Sequence, residues 1–414
     1  MHILFDASRL LRRTHLRTPT GIDRVDLAYA TTLLEDSHAA SFLVQDAPAR
    51  ILRGPGGHGV VRAAARIWSA PPPAGADPVF AQVRRWLLSP PEGAGRRICA
   101  GPPPQPKSLR NLWLIAARLR HSARLPQHLA GMAYLNTSHS GFENTGPAAL
   151  LKQRGAGIVA FLHDLIPLDH PEFSEAGASA RHAGRLRSIQ RHADLVLVNS
   201  QDTGDRFRRW LDAAGLPPPP VERIALGVDP RQAGLAPMHG APPYFVCAGT
   251  VEPRKNHGLL FEVWRELARV AGPDAPRLVV AGRRNSEAAG LGGPGQSPLV
   301  LEAADLGDAG LASLIAGARG LLQPSFAEGF GLPVAEGQAL GTPVVASDIP
   351  AHREIASAST LLLDPRDSAA WLAAVEALAA APPVPRHRPA AVFGSRDHVE
   401  AALRSIRAHF KSPG

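Results

Sequence analysis

The stretch Gly320-Leu321-Leu322-Gln323-Pro324-Ser325-Phe326-Ala327-Glu328-Gly329-Phe330-Gly331-Leu332-Pro333-Val334-Ala335-Glu336 decides the fold. It opens on Gly320–Gln323, a short apolar run of strand length. Gly329 and Gly331 follow, and they let the backbone turn tightly and a ligand approach it closely. Pro333 suits the first turn of a helix, which places Glu336 in that same turn. Strand, glycine loop and helix in succession make one unit of a parallel α/β sheet. The N–H groups at such a helix start suit a phosphate. Two carboxylates, Glu328 and Glu336, beside an anion site make sense if the ligand also carries hydroxyls, as a sugar and a ribose do. Either glutamate alone would read as an ordinary surface acid.

Outward from this stretch the same alternation recurs. Strands are expected at Tyr244–Ala248, Arg277–Ala281, Leu299–Ala303, Arg319–Gln323, Pro343–Ala346 and Thr360–Leu363. An earlier series is expected at Ile3–Phe5, Ser41–Val44, Met132–Leu135, Gly157–Leu162, Asp194–Val198 and Val221–Ala225. Gly227–Pro243, rich in Gly and Pro, reads as the linker between two halves. The expected division is 1–235, 236–390 and a last helix within 391–414 that packs back on the first half. The fold class is α/β, with two Rossmann-like halves and a cleft at the strand carboxyl ends, where small ligands bind. Residues 46–130 break the pattern with clustered Pro and Gly, and read as a variable insertion with two or three short helices.

Composition narrows the function classes. The 414 residues suffice for two or three domains. No run of 18 apolar residues occurs, and the start has no signal-peptide layout, so a cytoplasmic place is expected. Two distant cysteines, Cys99 and Cys247, argue against a disulfide framework or a zinc site. The net charge of +9 resides in residues 51–150, which hold 12 Lys or Arg against 3 Asp or Glu. Such a patch suits nucleic acid or an anionic membrane. Within it Leu112, Ile115, Ala116 and Leu119 fall at helical spacing beside Arg110, Arg118, Arg120 and Arg124, a basic amphipathic pattern that fits an anionic bilayer or a core-facing helix with a solvated Arg face.

Two further segments carry chemistry. Cys247-Ala248-Gly249-Thr250-Val251-Glu252-Pro253-Arg254-Lys255-Asn256-His257 leaves a strand and opens a helix. Two adjacent cations at a helix start oppose its dipole, so an anion between them is the natural resolution. Lys255 gains weight because only four of the 45 basic residues are Lys. In the first half, Phe161-Leu162-His163-Asp164 sets His163 at a strand's carboxyl end.

These segments together resemble the retaining glycosyltransferases of family GT4, which have the GT-B fold of two facing Rossmann-like domains. Glu328 and Glu336 occupy the two acidic positions of the family's E-x7-E element, with Gly331 and Leu332 between them. The resemblance implies that Glu328 lies beside the transferred sugar and Glu336 binds the nucleotide ribose. It implies that Arg254 and Lys255 hold the donor pyrophosphate, although the commonest family form has Arg directly after the glycine, where this chain has Thr250. It makes His163 the active-site histidine and gives Gly21, in Thr18-Pro19-Thr20-Gly21-Ile22-Asp23-Arg24, a backbone role near the donor phosphates. The resemblance runs over 1–45 and 130–380 and leaves 46–130 aside.

The implied reaction is transfer of a hexose from a nucleotide sugar, GDP-mannose as the first choice, with retention to a glycan or polyprenyl-linked acceptor in polysaccharide synthesis. No cofactor or metal is implied, since no D-x-D element follows a strand. The patch at 51–150 suggests a peripheral place at the inner face of the plasma membrane. Three rival readings compete with this one. A dehydrogenase lacks the G-x-G-x-x-G fingerprint after the first strand. A nucleic-acid binder lacks zinc spacing and RNA-binding aromatics, and its excess charge is confined to one quarter of the chain. A nucleotide-sugar epimerase of GT-B fold shares the motifs; formation of free nucleoside diphosphate only in the presence of an acceptor separates it from a transferase.

Overall fold

A computed structural model describes residues 1–411 apart from 15, 17, 36–39, 46–48, 53, 70–72, 101–119, 139–140, 230–237, 239 and 383–391. The chain divides into two compact units: Met1–Ala70, Pro103–Gly227 and Phe393–Gly414 form the first, Pro71–Pro102 and Val228–Val392 the second. Each is a Rossmann-like parallel sheet with helices, so the fold is α/β of the GT-B class.

The first sheet holds β1 (His2–Asp6), β2 (Ala40–Val44), β3 (Arg50–Leu52), β5 (Ser122–Arg124), β6 (Met132–Asn136), β7 (Gly157–Leu162), β8 (Leu195–Val198) and β9 (Val221–Arg223), in the order β5-β3-β2-β1-β6-β7-β8-β9. β4 (Arg96–Ile98) belongs to the second sheet. The central strands are parallel, and β3 pairs antiparallel with β2 and β5. Ile158, Ala160, Leu162, Val196 and Val198 pack with Leu186, Ile189 and Phe207 from the helices Ala178–His192 and Gln201–Ala213. Near-continuous apolar runs of this kind are what a sheet covered on both faces requires. The helix Ser395–His409 packs on the helix Gly21–Glu35 in this unit.

The second sheet adds β10 (Tyr244–Ala248), β11 (Arg277–Ala281), β12 (Val300–Ala303), β13 (Gly320–Gln323), β14 (Val344–Ser347) and β15 (Thr360–Leu363), in the order β15-β14-β13-β10-β11-β12-β4. Alternate residues of β10 serve opposite faces. Tyr244, Val246 and Ala248 join one apolar cluster, while Phe245 and Cys247 join another with Trp264 and Trp371. Burial pushes the Cys247 thiol up to about 12, so it acts there as a small apolar side chain.

The main departure from the sequence reading concerns 46–130. Among its described residues this segment forms the helices Gly54–Ser69 and Pro78–Leu88, and also the strands β3, β4 and β5. Residues 71–102 belong to the second unit, although the expected division places them in 1–235. β4 pairs in parallel with β12, Arg96 opposite Leu301. Its backbone satisfies groups that an edge strand would leave open. Asp77 caps the helix Pro78–Leu88 through the N–H groups of Val79 and Phe80, and its other oxygen accepts from Gly307 N at 2.8 Å. Arg97 and Arg284 both meet Glu302, which is 4% exposed. At Gly95 a Cβ would lie 1.8 Å from the carbonyl oxygen of Pro294, so no larger residue fits this approach. Hydrophobic periodicity could not report this arm: Val79, Phe80, Val83 and Leu87 do join the apolar core of the second unit, but that core, like the polar partners Gly307 and Glu302, lies far downstream in the chain.

Among the described residues no helix is long and apolar enough to cross a membrane. Leu112, Ile115, Ala116, Leu119, Arg110 and Arg118 lie outside the described residues. Arg124 stands in β5 rather than on a helix.

Candidate functional site

In the second unit two loops at strand carboxyl ends converge. One follows β10 and carries Glu252, Arg254 and Lys255; the other follows β13 and carries Ser325 and Glu328. Arg254 and Lys255 lie in a short 3-10 turn, Pro253–Lys255, and the α-helix His257–Ala271 begins after Asn256, whose φ is 54°. The two cations therefore stand before the helix rather than in its first turn. Their opposition is also resolved within the chain. Lys255 Nζ donates to Glu328 Oε1, and Arg254 donates to Glu328 Oε2 at 2.9 Å and to the Ala327 carbonyl at 3.0 Å. Arg254 also meets Glu252 at 2.5 Å. Ser325 Oγ donates to Glu328 Oε1 at 2.8 Å.

The Lys255 and Glu328 side chains are 9% and 8% exposed. Burial opposes ionisation of Glu328, but Lys255, Arg254 and His352 outweigh it and hold the carboxyl well below the usual carboxylate range. Glu328 is thus a fixed anion clamped by two cations, not the loop charge that its sequence context suggests.

Beyond it the chain turns at Gly331, with φ 96°, into the helix Leu332–Ala339. A Cβ at Gly331 would lie 2.9 Å from His352 Cδ2. Leu332 and Pro333 open the helix, and Glu336 is its fifth residue. The expectation of Glu336 in the first turn is corrected by one turn, because Gly331 caps the helix and Leu332 starts it. His352, at the start of the short helix Pro350–Ile355 after β14, is fully buried and donates from Nδ1 to the Ser347 carbonyl at 3.0 Å. Burial lowers its pKa, with Glu328 and the Ser347 carbonyl opposing the shift. Sequence reading missed His352, Ser325 and Glu252, although the rule that sites gather at strand carboxyl ends pointed to all three.

The first unit holds a site of another kind. His163 follows β7, is 4% exposed and donates from Nε2 to the Thr137 carbonyl at 2.6 Å. Burial lowers its pKa to about 4, so at pH 7 it is a neutral ring with its proton on Nε2. Asn199 Nδ2 fixes the His163 carbonyl at 2.9 Å. Gly21 is the first residue of the helix Gly21–Glu35. Asp23 ties down the loop before it: its Oδ2 accepts from Thr20 N at 2.9 Å and Thr20 Oγ1 at 2.7 Å, and Arg9 meets Oδ1 at 2.8 Å. This is the return half of a capping box. Among the described residues no group of three or more His, Cys, Asp or Glu could hold a metal ion.

Comparison with known proteins follows this division. Residues 52–232 match the model for Glycosyltransferase Family 4, and 242–381 match Glycosyl transferases group 1. The chain belongs to the GT4 family of GT-B glycosyltransferases. The first match runs through most of 46–130, so the resemblance does extend into the segment set aside above. A relative is the serotype-specific mannosyltransferase WbdA of Escherichia coli, 30% identical over 228 residues, which is 50% of this chain and 28% of that protein. The chain thus spans under a third of the length of such relatives. D-inositol 3-phosphate glycosyltransferase of Rhodococcus opacus is 27% identical over 65% of this chain and 64% of its own length. Of solved structures, Anabaena HepE in complex with UDP-glucose has TM-score 0.59 at 14% identity, covering 99% of this chain and 100% of its own. Sucrose-phosphate synthase from Thermosynechococcus elongatus has TM-score 0.59 at 15% identity, with both chains fully covered.

Proposed function

We propose that this GT4 member transfers a hexose, mannose from GDP-mannose, with retention to a glycan acceptor in polysaccharide assembly. The observation that carries the proposal is the convergence of Lys255 and Arg254 on Glu328 below the glycine turn at Gly331. An ammonium carries three donors and Glu328 takes one from Lys255, which leaves capacity for a diphosphate. At the helix start the Gly331 and Leu332 backbones supply further N–H groups, whereas Pro333 has none and the Val334 N–H donates to the Gly331 carbonyl. Glycosyl transfer breaks the bond between the anomeric carbon and a phosphate oxygen and forms one to an acceptor hydroxyl. Charge develops on the leaving diphosphate, so fixed cations lower the barrier more than they tighten ground-state binding. In this reading Glu328 holds the cations in place and lies beside the transferred sugar. Glu336 binds the ribose, His163 serves the donor sugar and Gly21 lies near the phosphates.

The mannosyltransferase relatives support the choice of sugar, and an O-antigen chain mannosyltransferase among them supports a glycan acceptor. The test is turnover over a panel of UDP-, GDP- and ADP-sugars with polyprenyl-linked acceptors, with the anomeric configuration of the product read by NMR. GDP-mannose turnover with a retained anomer is expected. Free nucleoside diphosphate without acceptor would favour an epimerase, and an inverted product would overturn retention. We further propose a peripheral place at an anionic membrane through the basic residues of 51–150. Salt-reversible binding to anionic vesicles and none to neutral ones is expected.

A further inference from the structure

The helix Gly21–Glu35 carries two buried carboxylates three residues apart, Asp23 and Asp26, and the reading above uses neither. Asp23 orders the loop before Gly21. Asp26, 1% exposed, does something else. Its Oδ1 accepts from the Thr137 hydroxyl at 2.7 Å. The carbonyl of the same Thr137 accepts the Nε2 proton of His163 at 2.6 Å. Three residues from the helix, the end of β6 and the end of β7 thus form one line, Asp26, Thr137 and His163, which passes from the Thr137 hydroxyl to its backbone carbonyl.

The other oxygen of Asp26 has no hydrogen-bond partner. The nearest cation is Arg9 at 3.8 Å, already committed to Asp23 at 2.8 Å. Asp6 on β1 and Asp23 add negative charge around it, and Tyr29, one turn along the helix, has a buried hydroxyl that is also unpartnered. Burial pushes Asp26 up to about 7, with Asp23 and Asp6 adding to the rise and Thr137 and Arg9 opposing it. A half-satisfied carboxyl in the core costs stability, and an apolar residue on this helix face would avoid that cost. Its arrangement makes sense if the site needs what it holds.

We propose that Asp26 is a positioning residue for His163: through the Thr137 hydroxyl it fixes the carbonyl that sets the tautomer and ring angle of the histidine. One helix face then orders both elements of the first unit implicated in donor handling, the Gly21 loop through Asp23 and His163 through Asp26. This inference rests on the transferase reading, and sharpens it by naming which buried group acts through which.

The test uses the full-length protein and the variants Asp26→Ala, Asp26→Asn, Thr137→Val and the double variant Asp26→Ala/Thr137→Val. Two readouts are taken: the nitrogen-15 signals of the His163 ring, assigned by comparison with His163→Asn, and kcat against donor KM. Asp26→Ala and Thr137→Val are each expected to shift His163 away from its Nε2-protonated form. Each should lower kcat by 10- to 50-fold while donor KM moves less than threefold. The double variant is expected to be no worse than the more damaged single variant, because both cut the same line. Asp26→Asn keeps an acceptor for the Thr137 hydroxyl and should recover the ring signals and most of the turnover. Unchanged His163 signals in folded Asp26→Ala and Thr137→Val, or single losses that multiply in the double, would overturn the proposal. If Asp26→Ala does not fold, Thr137→Val and Asp26→Asn carry the test. If the wild type transfers sugar from no donor, the transferase reading fails, and the ring signals alone still decide the relay.

Discussion

The two units solve the same problem with opposite chemistry. Around Glu328 the second unit gathers charge: two cations on one carboxylate, with Lys255 and Glu328 nearly buried and Arg254 half-buried. Around His163 the first unit removes it: a neutral ring, a backbone carbonyl and a carboxyl whose affinity for protons is raised. Both sites sit at the carboxyl ends of parallel strands, so topology does not explain the contrast. Charge placed in low-dielectric surroundings acts strongly, but only if every partner is present. Hydrogen-bonded neutral groups act through geometry instead. The second unit is therefore built to respond to the loss of one partner by a large electrostatic failure, and the first by misalignment.

The largest expected effect tests the charged side. Lys255→Ala leaves buried Glu328 with one cation fewer, which is expected to cost about 3–5 kcal/mol of stability. It also removes a charged contact to the diphosphate worth roughly 1.5–3 kcal/mol. Chemical denaturation and donor kinetics measure the two losses. Adding Glu328→Gln should restore much of the stability and none of the turnover. Wild-type stability and turnover in Lys255→Ala would break the contrast.

A smaller effect separates the two glutamates. Glu328→Gln should lower kcat tenfold or more with little change in donor KM, since it frees two cations while losing the group beside the sugar. Glu336→Gln should mainly raise donor KM, in keeping with a ribose contact worth about 1 kcal/mol. Steady-state kinetics on both variants distinguishes these roles, and an identical response of kcat and KM in the two would collapse the distinction.

The neutral side is tested by pH. His163, and His398 buried in the helix Ser395–His409, are each depressed to about 4 by burial, below the unfolded value of about 6.5. The unfolded chain binds more protons between these values, so their contribution is full above about pH 6.5 and is lost as pH falls towards 4. Asp26 has the opposite sign. Its folded value of about 7 lies above the ordinary aspartate value of 3.8, so the folded state is favoured below pH 4 and that advantage is lost as pH rises through 7. Asp26→Asn should therefore stabilise the protein more at pH 8 than at pH 5. Urea midpoints at the two pH values give the comparison, and a gain larger at pH 5 would contradict a buried, reluctantly ionised Asp26.

The smallest effect concerns Gly331. Gly331→Ala sets a Cβ 2.9 Å from the His352 ring at a positive φ, so a loss of roughly 1 kcal/mol or more is expected, with a raised donor KM. Pairing it with a smaller residue at 352 should relieve the clash but not the backbone strain.

Much of this was legible in advance. Apolar runs placed twelve strands of the two sheets to within a residue or two, because burial on both faces writes itself into each strand separately. Gly331, Pro333 and the adjacent Arg254 and Lys255 marked the two loops that converge on Glu328 for equally local reasons. The arm at 71–102 was not legible: β4 is only three residues long, and its pairing with β12 spans about 200 positions. Asp26 carries no local signal of its partner, because Thr137 lies 111 residues away.

The sequence by itself determined the alternation of strand and helix, the glycine turns and the residue types at the strand ends, since each depends on neighbours a few positions apart. Only the tertiary structure decided that Lys255 meets Glu328, 73 residues away, and that Asp26 reaches His163 through Thr137, 111 residues from it. Closing a long loop costs little more than closing a short one, so sequence distance says almost nothing about which buried partner a charge will find. That choice belongs to packing.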